Sequence, residues 1–159
     1  MQPGQILVAD QDNTHVIKMV GDVRLTLCVS FDKFIDSMFK GNRFCSVVFD
    51  LTEASAVDST TLGLMAKIAI LSRERCDRMP VVFSTNPTVD RLLETMGFDD
   101  IFQIIHTRAE CPVPCRHLNP EVDESSARER VLEAHHILMQ LNESNRETFR
   151  DLVNTLEGC

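Results

Sequence analysis

Asp58 and Ser59 are the residues of this sequence whose types and position best support chemistry, because they directly precede a strongly apolar segment with helical spacing. Both residue types are favoured helix N-caps, so a purely structural capping role is one interpretation. The other interpretation is functional. A serine hydroxyl at a helix N-terminus, on a loop that leaves a strand, is accessible and lies in a field that favours an added phosphate. The pair alone leaves both interpretations open.

A second candidate is the cluster of Cys111, Cys115 and His117, since two thiolates and an imidazole within a short segment could ligate zinc. A structural zinc site needs four ligands, whereas this cluster has an unspecific spacing and two prolines that stiffen the loop. We therefore expect a flexible connector and no metal, and a redox role for the thiols stays open. Three further cysteines lie in apolar segments and are expected to be free thiols: Cys28, Cys45 and Cys76.

A third candidate is the pair His135 and His136, which lies in a predicted helix near the end of the chain. We expect a partly exposed surface pair there rather than a metal or acid–base site. The sequence has no Gly-rich phosphate loop, no His-Glu-x-x-His and no Gly-x-Ser-x-Gly motif. We therefore expect a protein that is not an enzyme and that has no cofactor.

Composition narrows the class of protein further. The formal net charge of −8 argues against nucleic-acid binding, which needs a basic surface. A hydrophobic content of 43% suits one ordinary core within 159 residues. Neither an export signal nor an apolar run long enough to span a membrane is recognised, so we expect no membrane insertion and a cytoplasmic location.

The elements expected to position Ser59 alternate between strands and helices. Strand–helix alternation predicts an α/β layer with helices packed against one sheet. The first helix is expected to stop at Gly41-Asn42 and the third at Gly97, and a short loop is expected before Asp58. The sequence predicts strands at residues 5–10, 15–23, 46–51, 80–84 and 101–105, the first two as a hairpin, and helices at residues 31–39, 59–76 and 89–96.

The end of the chain differs from this pattern. Residues 107–124 are rich in proline, cysteine and charge and are predicted to be a linker, and residues 125–159 a helical extension. A capping box is expected at residues 126–129, and residues 142–145 are expected to divide the extension into two helices. The extension could dock on its own domain, pair with a second copy or hold a partner, and docking on its own domain is favoured.

Residues 47–64 carry a strand that ends in Asp-Leu, a spacer, and then Asp-Ser-Thr-Thr-Leu-Gly. This pattern resembles the signature of the STAS-domain anti-sigma-factor antagonists. Residues 83–98 and the Val-Gly-Asp-Val of residues 20–23 resemble later and earlier segments of the same family. The resemblance implies a STAS domain over residues 1–106, with a mixed sheet of four to five strands and helices mainly on one face.

The same resemblance implies a phosphorylation site. In that family the serine after the aspartate is phosphorylated by a partner that is both anti-sigma factor and serine kinase, and a PP2C-type phosphatase removes the phosphate. Carried over, Ser59 is the acceptor and Thr60 a less favoured one, while Asp58 positions the loop and contacts the partner. Thr61 stands where many members have glycine. Gly63 and Lys67, on an expected exposed ridge of the next helix, complete the partner contacts.

The function implied is a bacterial partner-switching protein in transcription regulation and stress signalling, present as a monomer or weak homodimer. The unphosphorylated form would bind the anti-sigma factor, and the added charge of the phosphate would release it. One alternative is a STAS subunit of a larger signalling scaffold or transport complex. Another is the same serine switch with a partner outside sigma-factor control, and a third is an enzyme or a small-molecule-binding protein.

Overall fold

The structure is a computed structural model that describes residues 4–11, 13–40, 46–108, 116–121 and 123–158. The helix stop predicted at Gly41-Asn42 lies outside these ranges, as do Cys45, Cys111 and Cys115. The strands are β1 Gln5–Gln11, β2 Thr14–Val23, β3 Ser46–Val57, β4 Val81–Phe83, β5 Gln103–Ile105 and β6 Arg116–His117. The helices are α1 Cys28–Phe39, α2 Ser59–Cys76, α3 Pro87–Thr95, α4 Glu124–Leu141 and α5 Glu143–Glu157, with short 3-10 turns at Leu25–Leu27 and Phe98–Asp100.

The strands of the described residues form one mixed sheet in the order β5-β4-β3-β2-β1-β6. β1 is antiparallel to both β2 and β6, whereas β2, β3, β4 and β5 run parallel. The mixed α/β fold and the opening hairpin are therefore confirmed. The described part of the sheet has six strands rather than four to five, because Arg116 and His117, inside the predicted linker, pair with β1.

β3 is twice as long as predicted, and this places Asp58 directly at the end of a strand. The apolar run suggested a strand that stops at Leu51, but pairing with β2 continues to Val57 opposite Val23. The pairing absorbs two register shifts, one of them beside Gly21, whose φ of 74° suits glycine. The short loop expected before Asp58 is therefore absent, since backbone pairing extends the strand through a polar segment.

Helix α2 is buried around most of its circumference, as its wide apolar stripe predicted. Four of its side chains are almost completely inaccessible: Leu62, Leu64, Met65 and Ile68. Each side chain of this size contributes about 1.5–3 kcal/mol when it is fully buried. Such a helix needs packing partners on more than one side, and α4 supplies one of them.

The end of the chain packs on the rest of the protein. Ala134 and Leu138 of α4 and Phe149 of α5 belong to the same buried cluster as the sheet and α2. The extension therefore docks on its own domain, the favoured one of the three roles. The two helices separate at Asn142, as predicted. The capping box predicted at residues 126–129 was wrong, because α4 already begins at Glu124 with Asp123 as its N-cap.

The α4–α5 junction meets the end of α3. Gly97, with a φ of 81°, ends α3 as predicted, and a Cβ added to it would lie 2.6 Å from the side-chain nitrogen of Asn142. Beside it, the buried amide of Asn145 donates to the backbone carbonyls of Met96 and Leu138, both at 2.9 Å. Asn145 thus joins α3, α4 and α5.

We predict that Asn145→Ala lowers the free energy of unfolding by about 1–3 kcal/mol, because two buried hydrogen bonds to backbone carbonyls are lost. Urea denaturation followed by circular dichroism measures the change. The exposed Glu147→Ala, on the same helix, is the control. Equal transition midpoints for the two variants would contradict a structural role for these hydrogen bonds.

Candidate functional site

Asp58 fixes the N-terminus of α2 to the end of β2. Its Oδ1 accepts a hydrogen bond from the backbone N–H of Thr61 at 2.9 Å, which makes it the N-cap. Its Oδ2 accepts from the backbone N–H of Leu25 at 2.6 Å, and its own N–H donates to the carbonyl of Val23 at 3.0 Å. One carboxylate therefore orients the first turn of α2 against the chain that follows β2.

Ser59 is the first residue of α2 and is half-buried. Its Oγ lies 2.7 Å from Nε2 of His135 on α4, and Nδ1 of the same ring lies 2.6 Å from the carbonyl oxygen of Val131. A carbonyl oxygen can only accept, so Nδ1 carries the ring proton. In the neutral ring Nε2 is then the acceptor, and the Ser59 hydroxyl donates to it.

His135 is only 1% exposed, and the ring of Phe149 packs edge-on against it with centroids 5.0 Å apart. Burial lowers the pKa of His135, the Val131 carbonyl and the Asp58 carboxylate oppose that shift, and His136 adds to it. The prediction of a partly exposed histidine pair was therefore wrong for His135. Helical spacing puts it on the face of α4 that also carries Leu138, whereas His136 is exposed and pairs with Glu157 at 2.6 Å.

The ridge of α2 that follows Ser59 is covered, so the prediction that it is exposed was wrong. Thr60 and Thr61 are buried. Gly63 is buried too, and a Cβ added to it would lie 2.3 Å from the carbonyl oxygen of Ala134 and 2.5 Å from the Cβ of Ala134. The two helix backbones touch here, which requires glycine on α2 and a small residue on α4.

Lys67 lies at the end of this covered ridge and belongs to a cluster of charged side chains. Its Nζ lies 2.8 Å from the carboxylate of Asp32 on α1 and 2.9 Å from that of Glu133 on α4, and Arg130 of α4 reaches Asp32 at 3.1 Å. Burial opposes the charge on Lys67, but the hydrogen bonds to Asp32 and Glu133 outweigh it and raise the pKa. The cluster joins three helices that are distant in sequence.

The structure thus brings together all six predicted partner-contact residues, and it adds a group that the sequence analysis missed: Asp32, Arg130, Glu133 and His135. His135 was noticed but assigned to the surface. The other three are ordinary charged residues of amphipathic helices. Their contacts join positions between 35 and 98 residues apart, and no local pattern encodes such contacts.

The remaining candidates give no site in the described part of the chain. His117 lies exposed on β6, and Cys111 and Cys115 lie outside the described residues. Within the described ranges no group of three or more His, Cys, Asp or Glu residues is placed to hold a metal ion. Cys28 is a buried free thiol. In the same ranges, no helix combines the length and the apolar character that crossing a membrane requires.

Comparison with known proteins agrees with this geometry. The STAS domain family model matches residues 5–111, more than half of the chain, and the chain therefore belongs to the STAS-domain family. Among solved structures it is similar to one described as the anti-sigma factor antagonist SpoIIAA in its unphosphorylated form. The TM-score is 0.50 and the sequence identity 16%, over 80% of this chain and 96% of that chain. At this identity the likeness shows a shared fold. No curated protein matches the chain.

We predict that Asp58→Ala lowers the free energy of unfolding by about 2–4 kcal/mol, because a cap and a second hydrogen bond to a charged group are lost together. Asp58→Asn keeps one carbonyl oxygen as an acceptor and should lose less. Guanidinium denaturation gives both values. Asp99→Ala, which removes one exposed carboxylate, is the control, and a loss in Asp58→Ala no larger than in this control would contradict the assignment.

The buried neutral His135 predicts a pH dependence. Its pKa is lower folded than unfolded, where it is about 6.5. Its contribution to stability is therefore present above about pH 6.5 and is lost as the pH falls through the folded pKa. The unfolding free energy of the wild type should fall more steeply on acidification than that of His135→Gln, which keeps an acceptor but does not titrate. His15, whose pKa burial also lowers, is common to both proteins. Parallel curves would contradict the prediction.

Proposed function

We propose that this STAS protein is a phosphorylation-controlled binding switch of the anti-sigma-factor antagonist kind, with Ser59 as the acceptor. One observation carries the proposal. Ser59 is the first residue of α2, held by the Asp58 cap at the end of a parallel strand, and its hydroxyl bonds to a side chain rather than to its own helix. A single hydrogen bond therefore holds the hydroxyl, and modification of Ser59 breaks this contact between α2 and α4.

The electrostatics of the site suit a reversible phosphate. The positive end of the α2 dipole favours an anion at Ser59, while the Asp58 carboxylate beside it disfavours one. Transfer from a nucleoside triphosphate would form a P–O bond between Ser59 Oγ and the terminal phosphorus and break the bond from that phosphorus to the bridging oxygen. The nucleoside diphosphate leaves, and the hydroxyl proton passes to a base of the kinase. The product carries about 1.5–2 additional negative charges at neutral pH on a protein of net charge −8.

The partner in this proposal is a protein that is both anti-sigma factor and serine kinase, and a PP2C-type phosphatase resets the switch. The unphosphorylated form binds the partner through Asp58, Ser59 and the α2 ridge that ends at Lys67, and the phosphorylated form lets it go. A difference of about 3 kcal/mol between the two states changes the affinity more than a hundredfold. The protein itself supplies no catalysis and acts in the bacterial cytoplasm.

The family comparison and the local geometry both support this proposal. The family and the shared fold place the chain among domains that include an anti-sigma factor antagonist, and that antagonist was solved in a form described as unphosphorylated. The local geometry adds a capped helix N-terminus with a serine at its first position. Thr60 is the less favoured acceptor, because it is buried.

We predict that protein recovered from its own cells carries a phosphate on Ser59 under some growth or stress conditions. Intact-mass and phosphopeptide analysis detects it, and Thr60→Ala is the control that keeps Ser59. In pull-downs, Ser59→Ala should capture a kinase-like partner and Ser59→Asp should lose it. No phosphate under any condition, together with equal capture by both variants, would contradict the proposal.

A further inference from the structure

The two C-terminal helices, Glu124–Leu141 and Glu143–Glu157, are called the α4–α5 cover below. Three consecutive residues of α4 contact one ridge of α2 over two turns of α2. These contacts are His135 with Ser59, Ala134 with Gly63, and Glu133 with Lys67. The three α2 positions are four residues apart and therefore lie on one face of the helix.

This face is the one that the proposed function assigns to a partner protein. At Gly63 the gap between the helices is too small even for a methyl group, since an added Cβ would lie 2.5 Å from that of Ala134. A partner helix or loop therefore cannot contact Gly63 while α4 is in place. The cover and a partner are alternative occupants of the same ridge.

The cover is attached in a way that permits it to leave. The chain before it is anchored separately: β6 pairs with β1, Leu118 N–H donates to the carbonyl of Ile6 at 2.8 Å, and Glu121 pairs with Lys33 of α1 at 2.6 Å. Ser30 of α1 also donates a hydrogen bond to the carbonyl of Asn119. None of these contacts involves α4 or α5, so they can persist when the cover lifts.

The contacts of the cover are partly polar, as in interfaces that open. Apolar packing by Ala134, Leu138 and Phe149 is combined with the Ser59–His135 hydrogen bond and with two ion pairs, Glu133 with Lys67 and Arg130 with Asp32. A tethered segment has a high effective concentration, so a free partner must bind the ridge tightly to displace it.

A phosphate on Ser59 is incompatible with the covered state for two reasons. The Oγ of phosphoserine carries no hydrogen, so it can no longer donate a hydrogen bond to Nε2 of His135. The phosphoryl group would also need the space that the imidazole fills, 2.7 Å from Oγ, where it would bring charge into contact with a ring that is 1% exposed.

We propose that the α4–α5 cover is an intramolecular competitor for the partner-binding ridge of α2, docked only while Ser59 is unphosphorylated. This inference rests on the proposed function. Cover, partner and phosphate then exclude one another. The partner displaces α4 and reaches Ser59, phosphorylation releases the partner, and the cover returns only after a phosphatase has restored the hydroxyl.

The test uses the full chain with Ser59→Cys and follows alkylation of the introduced thiol by iodoacetamide, resolved by peptide mass spectrometry so that the native cysteines do not interfere. Adding Ala134→Leu overpacks the contact with Gly63 and should accelerate alkylation about tenfold or more. The matched control is Gln140→Leu, at an exposed position of α4, which should leave the rate unchanged.

Hydrogen exchange of the same proteins shows how far opening extends. We expect Ala134→Leu to expose amides of α4 and α5 while β2 and β3 stay protected. Unchanged alkylation would overturn the inference. Faster alkylation with loss of protection in the sheet would overturn it too, since the extension would then be an integral part of the fold.

A second arm uses phosphoserine incorporated genetically at position 59. The α4 and α5 amides should then lose protection as they do in Ala134→Leu, and retained protection would overturn the inference. The two proposals fail separately. Absence of phosphate on Ser59 in cells, with opening as described, counts only against the proposed function, whereas a docked cover on the phosphoserine protein counts only against the cover.

Discussion

The structure depends on the need to cover helix α2 on more than one side. From Thr60 to Ala69 all but one of its residues are buried, and the exception, Lys67, is held by two carboxylates. A helix with so little polar surface cannot present its second face to water without exposing a large apolar patch. Covering that face is therefore energetically favourable, and in this structure α4 covers it. The same requirement makes the face suitable for a partner protein.

The Asp58 carboxylate links this packing requirement to the chemistry of Ser59. By capping α2 and binding the N–H of Leu25 it fixes the first turn, and Ser59 is therefore presented at one position on the rim of the buried face. His135 on α4 forms a hydrogen bond with that hydroxyl, and this bond is present only while the hydroxyl is unmodified. We propose that a covalent change at this single oxygen removes the cover from the ridge without rearranging the sheet.

Much of the fold could be predicted because it follows from local patterns. The opening hairpin, the helix from Ser59, the glycine stop at Gly97 and the division at Asn142 all depend on residues close in sequence. The Asp58-Ser59 pattern likewise indicated the correct family. What was missed arises from distant pairing: β3 continues to Val57 because β2 supplies partners, and β6 exists because β1 has a free edge for it.

The site was wrongly predicted to be exposed, and the reason is again a contact between residues distant in sequence. The wide apolar stripe of α2 was recognised, but nothing in the local sequence indicated that α4 would complete its burial or that His135 would reach Ser59, which is 76 residues away. A histidine beside another histidine on an amphipathic helix has no local signal that separates the buried one from the exposed one.

Long-range nitrogen–proton NMR correlation of the His135 ring tests the central claim most directly, because it distinguishes the two neutral tautomers and the charged form. In the unphosphorylated protein near neutral pH we expect the neutral ring with its proton on Nδ1, held by Val131 and Ser59. With phosphoserine at position 59 we expect the mixed tautomers and ordinary titration of a solvent-exposed histidine. Persistence of the Nδ1–H form in the phosphoserine protein would contradict the account.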